Sequence, residues 1–141
     1  MKELTEKAAL DWSLKLWKWI AETGSEDKAD WPEWEKWIKQ YDSIPCSLCP
    51  CCAYALQILI GHGKSDLDNE KCGYCPVKKW GRFNTCITDQ FMGLFDKWED
   101  AWNSEPERIR CAEKIVKAIR LARSKLNRRV KSNGSLQKVQ E

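Results

Sequence analysis

Seven of the eight cysteines in this chain of 141 residues lie between residues 46 and 86, and four of them form two C-x-x-C pairs. A gap of two residues lets both thiolates of a tight turn bind one metal ion, at about 2.3 Å from each sulfur. Four such thiolates form a closed, tetrahedral site of the structural kind. We predict a bound Zn²⁺, with an iron–sulfur cluster as the alternative because it also uses four thiolates. The candidate metal ligands are Cys46, Cys49, Cys72, Cys75 and Cys86.

The choice of four ligands among these five stays open. Cys86 directly precedes a predicted helix, whose positive end would stabilise a thiolate there. Cys51 and Cys52 head an apolar segment and are expected to be buried, as is Cys111 in the last helix. Disulfides and a redox pair remain as other interpretations. The chain shows no secretion signal for disulfides and no βαβ pattern for a redox pair.

Catalytic patterns are missing from the sequence. The chain has one histidine, no Gly-rich phosphate loop and no Ser/His/Asp set. Because imidazole is the commonest acid–base group in enzymes, a single histidine argues against many enzyme classes. We therefore predict a protein without enzymatic activity and without a small-molecule substrate.

Positive charge is concentrated near the end of the chain. Residues 114–140 contain nine basic residues and no acidic one, whereas the net charge of the whole chain is only +3. A basic arm on an acidic body can bind nucleic acid, or the acidic body of a second copy of the chain. The candidate nucleic-acid contacts are Arg120, Arg123, Lys125, Arg128, Arg129 and Lys131.

A short loop after the second C-x-x-C pair is the candidate surface for a protein partner. Residues 78–83 combine two aromatic and three basic side chains. Trp and Arg are enriched at the hot spots of protein interfaces. The candidate partner contacts are Trp80, Arg82 and Phe83. The alternative is that Trp80 and Phe83 fold back onto the helices and cover the metal.

Apolar residues recur with helical spacing in several segments. The pattern predicts helices over about 3–22, 30–42, 52–60, 89–103 and 105–131. Nine tryptophans at this spacing are expected mainly in the core, with one or two left exposed.

The ends of these helices are predicted from capping residues. Thr23-Gly24-Ser25 should stop the first helix, and Asp30 should cap the second. Thr88 should cap the third long helix, with Trp102 on its apolar face. Ser104 should begin the last helix, which Ser132-Asn-Gly-Ser135 should end.

These elements predict an all-α fold, a small helical bundle with a cysteine-rich metal-binding insert between two helical halves. One helical domain would span residues 1–131, with the insert at 43–87. Residues 132–141 would form a flexible basic and polar tail.

The run Cys46-Ser-Leu-Cys49, Cys72-Gly-Tyr-Cys75-Pro76, Gly81 and Cys86 resembles a pattern found in small, cysteine-rich, uncharacterised proteins of tailed bacteriophages and prophages. The resemblance covers about residues 46–95. It implies a phage accessory protein in the bacterial host cytoplasm, and it implies no specific activity. The chain departs from the pattern in its long gap between the two pairs and in the extra pair Cys51 and Cys52.

The sequence thus favours a non-enzymatic, metal-stabilised protein that binds a host or phage protein, to inhibit or modulate host defence or transcription. A nucleic-acid-binding module is the first alternative, and an iron–sulfur redox or sensor protein is the second. No segment is apolar over the roughly 20 residues that span a bilayer, so no membrane contact is expected. Self-association stays open.

Overall fold

A computed structural model describes residues 4–41, 50–61, 63, 76–77 and 94–140. All regular structure within these residues is helical, and they contain no β-strand. The all-α prediction is therefore confirmed for this part of the chain. None of the helices in these ranges is both long enough and apolar enough to cross a membrane.

Helix α1, Glu6–Thr23, ends where the sequence predicts, but it begins three residues after the predicted start at residue 3. The Thr5 side chain accepts a hydrogen bond from the Ala8 N–H at 3.1 Å. Gly24 adopts φ 71°, in the left-handed region, and its N–H donates to the Ile20 carbonyl at 2.8 Å. Gly tolerates this backbone conformation because it has no Cβ, so Gly24 ends the helix.

The second helix starts later than predicted, so the assignment of Asp30 as its N-cap was wrong. A short 3-10 helix, Lys28–Asp30, comes first, and the Asp27 side chain caps it by accepting from the Ala29 N–H at 2.9 Å. Helix α2 then covers only Trp34–Gln40 and has no side-chain cap. Asp30 is itself the last residue of the 3-10 helix and therefore cannot cap α2, which begins four residues later.

Helix α3, Pro50–Gly61, contains the predicted segment 52–60 and packs on α1. The Ser13 hydroxyl accepts from the Cys51 N–H at 3.1 Å and donates to the Cys51 Sγ at the same distance. Six residues further along α3, the Gln57 amide oxygen accepts from the Leu4 N–H, and the Gln57 amide nitrogen donates to the Leu4 carbonyl. These bonds satisfy polar groups that the packing buries.

Helix α4, Leu94–Asp100, lies inside the predicted third long helix. Trp102 was expected on its apolar face, and this was wrong because the helix ends at Asp100. Residues 101–103 form a turn, and Trp102 is 68% exposed. Residue 88, the expected cap, lies outside the described residues.

Helix α5, Glu105–Gln140, is the longest element and forms the largest contact, with α1. The Ser104 side chain caps it by accepting from the Glu107 N–H at 3.4 Å. The predicted end at residue 131 was wrong, because the backbone stays helical to Gln140. A single Gly inside a helix costs only about 1 kcal/mol, so Gly134 does not stop the helix.

The core confirms that tryptophans mainly pack inside. On one side of α1, Trp12 contacts Trp31 and Trp37 with ring centroids 5.8 and 5.9 Å apart. On the other side, Trp17 meets Trp98 edge-to-face at 5.1 Å. All five rings are buried. Helix α1 is therefore the central element, with α2 and α4 attached through aromatic contacts.

Candidate nucleic-acid interface on the C-terminal helix

The predicted functional residues fall into two groups, those outside the described residues and those on α5. The metal ligands Cys46, Cys49, Cys72, Cys75 and Cys86 and the partner contacts Trp80, Arg82 and Phe83 lie outside the described residues. Within the described ranges, no three His, Cys, Asp or Glu side chains are grouped so that they could hold a metal ion. By contrast, all six predicted nucleic-acid contacts lie on α5.

An open cleft of about 350 Å³ runs along one side of α5. Four of the six predicted basic residues line it, together with two uncharged polar residues. The lining residues are Arg120, Arg123, Ser124, Asn127, Arg128 and Lys131. No acidic and no aromatic side chain lines this cleft, so its chemistry is that of an anion-binding surface.

The position of each lining residue follows from helix geometry. Successive residues turn by about 100°, which places Ser124, Asn127 and Lys131 within about 40° of Arg120 around the helix axis. Arg123 lies about 60° away on one flank, and Arg128 lies about 80° away on the other. We call this set of six residues the basic face of α5.

Packing on α1 fixes the direction of the basic face. Ile115, Ile119 and Leu126 are buried on the side of α5 that contacts α1. Arg120, Ser124, Asn127, Arg128 and Lys131 are exposed. The buried seam therefore holds the helix in one rotation and directs these side chains to solvent.

Two of the predicted contacts form ion pairs with α1. Arg123 Nε lies 2.9 Å from Asp11 Oδ1, and Arg129 Nη2 lies 3.0 Å from Glu6 Oε1. In the helical arrangement these two arginines flank the buried seam on its two sides. Their first role is to hold α5 against α1, and only Arg123 also reaches the cleft.

Two of the six predicted nucleic-acid contacts, Lys125 and Arg129, do not lie on the side of α5 that carries the cleft. Lys125 is exposed but lies about 140° from Arg120 around the helix, and Arg129 lies about 180° away. Neither lines the cleft. Within the part of the chain that the structure describes, Arg120, Arg128 and Lys131 form no ion pair, which leaves their charges available to an external anion.

Sequence reasoning missed Ser124 and Asn127, because it selected only charged residues. Their spacing could have identified them, because they follow Arg120 by four and seven residues and therefore lie on the same face of the helix. Both side chains donate and accept hydrogen bonds. They form the uncharged centre of the basic face.

The described thiols are not arranged as a reactive site. Cys51 is fully buried beside Ser13, as predicted for a residue that heads an apolar helix. Cys111 is half-buried and packs against the core. Burial raises the pKa of the Cys111 thiol, and the Glu107 carboxylate raises it further. Cys111 therefore stays protonated at neutral pH, which makes it a poor nucleophile and metal ligand.

Comparison of the chain with protein-family models, with curated proteins and with solved structures found no match.

Proposed function

We propose that this protein is a non-enzymatic helical protein that binds nucleic acid through the basic face of α5. The observation that carries the proposal is the cleft lined by four cations and two hydrogen-bonding side chains. Arg presents a planar fork of donors that matches phosphate oxygens, and Lys adds a point charge. A row of such groups on one helix face fits a regularly charged backbone better than it fits a single small anion.

The charge distribution along the bundle supports the same conclusion. The Arg108 side chain bonds to the Gly24 carbonyl, so α5 begins beside the end of α1. Acidic residues crowd this end of the bundle, and α5 becomes purely basic toward the other end. The acidic residues there are Glu22, Glu26, Asp27, Glu99, Asp100, Glu105 and Glu107. A polyanion is repelled from the acidic end and steered toward the basic face.

A structural metal belongs to the proposal as a support for the fold. Four of the five cysteines Cys46, Cys49, Cys72, Cys75 and Cys86 would hold Zn²⁺ and so close the insert between the helical halves. The two C-x-x-C spacings support zinc, and an iron–sulfur cluster is the alternative. The resemblance to phage proteins supports a role in a bacterial host cytoplasm.

A protein partner is the second candidate function, and Trp102 favours it. A Trp side chain that is 68% exposed offers a large apolar surface of the kind found at interface hot spots. The partner would be a host or phage protein, bound at Trp102 together with the predicted contacts Trp80, Arg82 and Phe83. Retention of a partner by the wild type and its loss in Trp102→Ala, with unchanged thermal stability, would support this candidate.

The nucleic-acid proposal is tested by two charge-matched double variants of the full chain. Arg120→Gln with Lys131→Gln removes two charges from the basic face. Lys114→Gln with Lys125→Gln removes two charges from other exposed sides of the same helix. Fluorescence anisotropy with a labelled duplex at low salt measures the dissociation constant.

We expect the first pair to weaken binding by roughly tenfold or more and to lower the salt slope by about 2 units, since each lost phosphate contact removes about one. The control pair should change affinity by less than about threefold, because general attraction is weaker than direct contact. Equal losses in both pairs would mean that binding depends on overall charge alone, and the assignment to the basic face would be wrong.

A further inference from the structure

We infer that the ligand of the basic face is B-form duplex DNA, with α5 lying in the major groove and Asn127 directed at base edges. This inference rests on the nucleic-acid binding proposed above and specifies its substrate class. The observation behind it is the juxtaposition of cations around an uncharged centre on one face of one helix.

The six residues of the basic face form a rim and a centre. Along the helix axis, Arg120 and Lys131 lie at the two ends, about 16 Å apart at 1.5 Å per residue. Across the axis, Arg123 and Arg128 lie on opposite flanks. Ser124 and Asn127 lie inside this rim. In a groove, the flanking cations would meet the phosphates of the two strands, while the centre would meet the bases.

The dimensions of the helix suit this groove. An α-helix with its side chains is about 10–12 Å wide, and the major groove of B-DNA is about 12 Å wide. Helix α1 runs beside this part of α5, as the Arg123 pair with Asp11 and the Arg129 pair with Glu6 show. The buried seam faces α1, whereas five of the six residues of the basic face are exposed, so a duplex can approach this face from solvent.

The centre of the basic face supplies the chemistry of base recognition. The Asn127 amide presents an acceptor and a donor together, which match adenine N6 and N7 in the major groove. Ser124 can bond to several bases and adds little discrimination. Arg123 is paired with Asp11, so this flank meets a phosphate when Arg123 exchanges the Asp11 carboxylate for it.

The composition of the cleft argues against the other nucleic acids. Single strands are bound largely by stacking bases on aromatic side chains, and none of the lining residues of this cleft is aromatic. Duplex RNA has a major groove that is too deep and narrow for side chains to read. B-form DNA is the nucleic acid that an isolated, aromatic-free basic helix face fits.

The first experiment compares three ligands of the same sequence and length at one ionic strength. These are duplex DNA, duplex RNA and single-stranded DNA, titrated against the full-length protein. Duplex DNA should bind at least tenfold more tightly than the other two. Equal or tighter binding of RNA or of the single strand would overturn the major-groove inference and leave nucleic-acid binding intact. No binding of any ligand at low salt would overturn both.

The second experiment tests Asn127 by selection from a pool of duplexes with a randomised centre. The wild type should enrich an adenine at one position, and Asn127→Ala should lose that preference with an unchanged salt slope. Ala is a better helix former than Asn, and residue 127 is exposed, so the variant will fold. Asn103→Ala, an exposed Asn in the turn before α5, is the matched control. An unchanged adenine preference in Asn127→Ala would overturn the role of Asn127.

Discussion

Arg108 shows how one residue can hold several chain segments together. It is 7% exposed, and its Nε donates to the Gly24 carbonyl at 2.9 Å. Its Nη1 donates to the Trp102 carbonyl at 2.6 Å, and its Nη2 lies 3.7 Å from a Glu26 carboxylate oxygen. One guanidinium thus joins the end of α1, the turn after α4 and the first turn of α5.

Replacing Arg108 by Met should lower the free energy of unfolding by about 2–4 kcal/mol. The substitution keeps the apolar stem but leaves buried carbonyls without their donor. Urea denaturation of the full chain measures the change. Arg110→Met is the control, because Arg110 is exposed and its one ion pair among the described residues is with Glu107, three residues earlier. Its loss should cost less than about 0.5 kcal/mol. Similar losses of stability in both variants would contradict the structural role given to Arg108.

If the basic face binds phosphates, we expect Asp11 to compete with them for Arg123. The two side chains are 2.9 Å apart and about 40% exposed, so the pair is reachable from solvent. Asp11→Asn should tighten duplex binding by about twofold to tenfold, since a released Arg adds about one phosphate contact. Stability should change by less than about 1 kcal/mol, as for other exposed pairs.

The control for this substitution is Glu22→Gln, which removes the same charge in the last turn of α1, at the acidic end of the bundle. Anisotropy titrations of both variants at one salt concentration give the comparison. If both tighten binding equally, the effect is one of net charge. Weaker binding in Asp11→Asn would mean that Asp11 orients Arg123 rather than masks it.

At the level of helices and turns, the ends of elements show where backbone conformation decides stability. Gly24 ends α1 at φ 71°, and a Cβ placed there would lie 2.7 Å from the Glu105 Cγ. Gly61, the last residue of α3, has no atom within 4 Å of such a Cβ and no positive φ. A side chain can therefore be added at Gly61 without strain, whereas at Gly24 it would be strained.

Gly24→Ala should lower the free energy of unfolding by about 1–3 kcal/mol, through the left-handed backbone and the close approach of Glu105. Gly61→Ala should be neutral or stabilising by up to about 1 kcal/mol, because Ala restricts the unfolded chain. Thermal and urea unfolding of both variants measure the difference. A loss at Gly61 as large as that at Gly24 would contradict this explanation.

The cysteine-rich insert makes a prediction of its own. If Cys49 and Cys75 bind the metal, changing either to Ser should remove bound zinc and most of the stability, because metal binding is coupled to folding. Cys111→Ser should keep the metal and cost about 1–2 kcal/mol. Elemental analysis and thermal unfolding give both values. Equal losses at Cys49 and Cys111 would refute the ligand assignment.

The helices of the described residues could be predicted from the sequence, but their ends less well. The 3.6-residue spacing of Trp12, Leu16 and Trp19 follows directly from burying one face of a helix. Asp30 was predicted as a cap, but a 3-10 helix that the helical spacing did not predict, Lys28–Asp30, includes it. Similarly, Gly134 looked like a helix end, although a Gly costs too little to stop one by itself.

Across the whole molecule, the concentration of basic residues in 114–140 could be predicted from the sequence. The part that could not be predicted is the register between α1 and α5, which pairs Arg123 with Asp11 and Arg129 with Glu6. That register decides which cations of α5 are paired with α1 and which are available to bind an anion. Sequence counts of Lys and Arg therefore located the surface, whereas the packing selected the residues that line its cleft.

The central claim is that the basic face binds phosphates, and its most direct test is the salt dependence of duplex binding by the full-length protein. The logarithm of the association constant, measured between about 50 and 200 mM salt, should fall linearly with the logarithm of salt concentration. The three unpaired cations of the cleft predict a slope of about −2.7, at about −0.9 for each contact, and Arg123 would bring it to about −3.6 if it exchanged Asp11 for a phosphate. A slope near zero, or no binding at the lowest salt, would contradict the account.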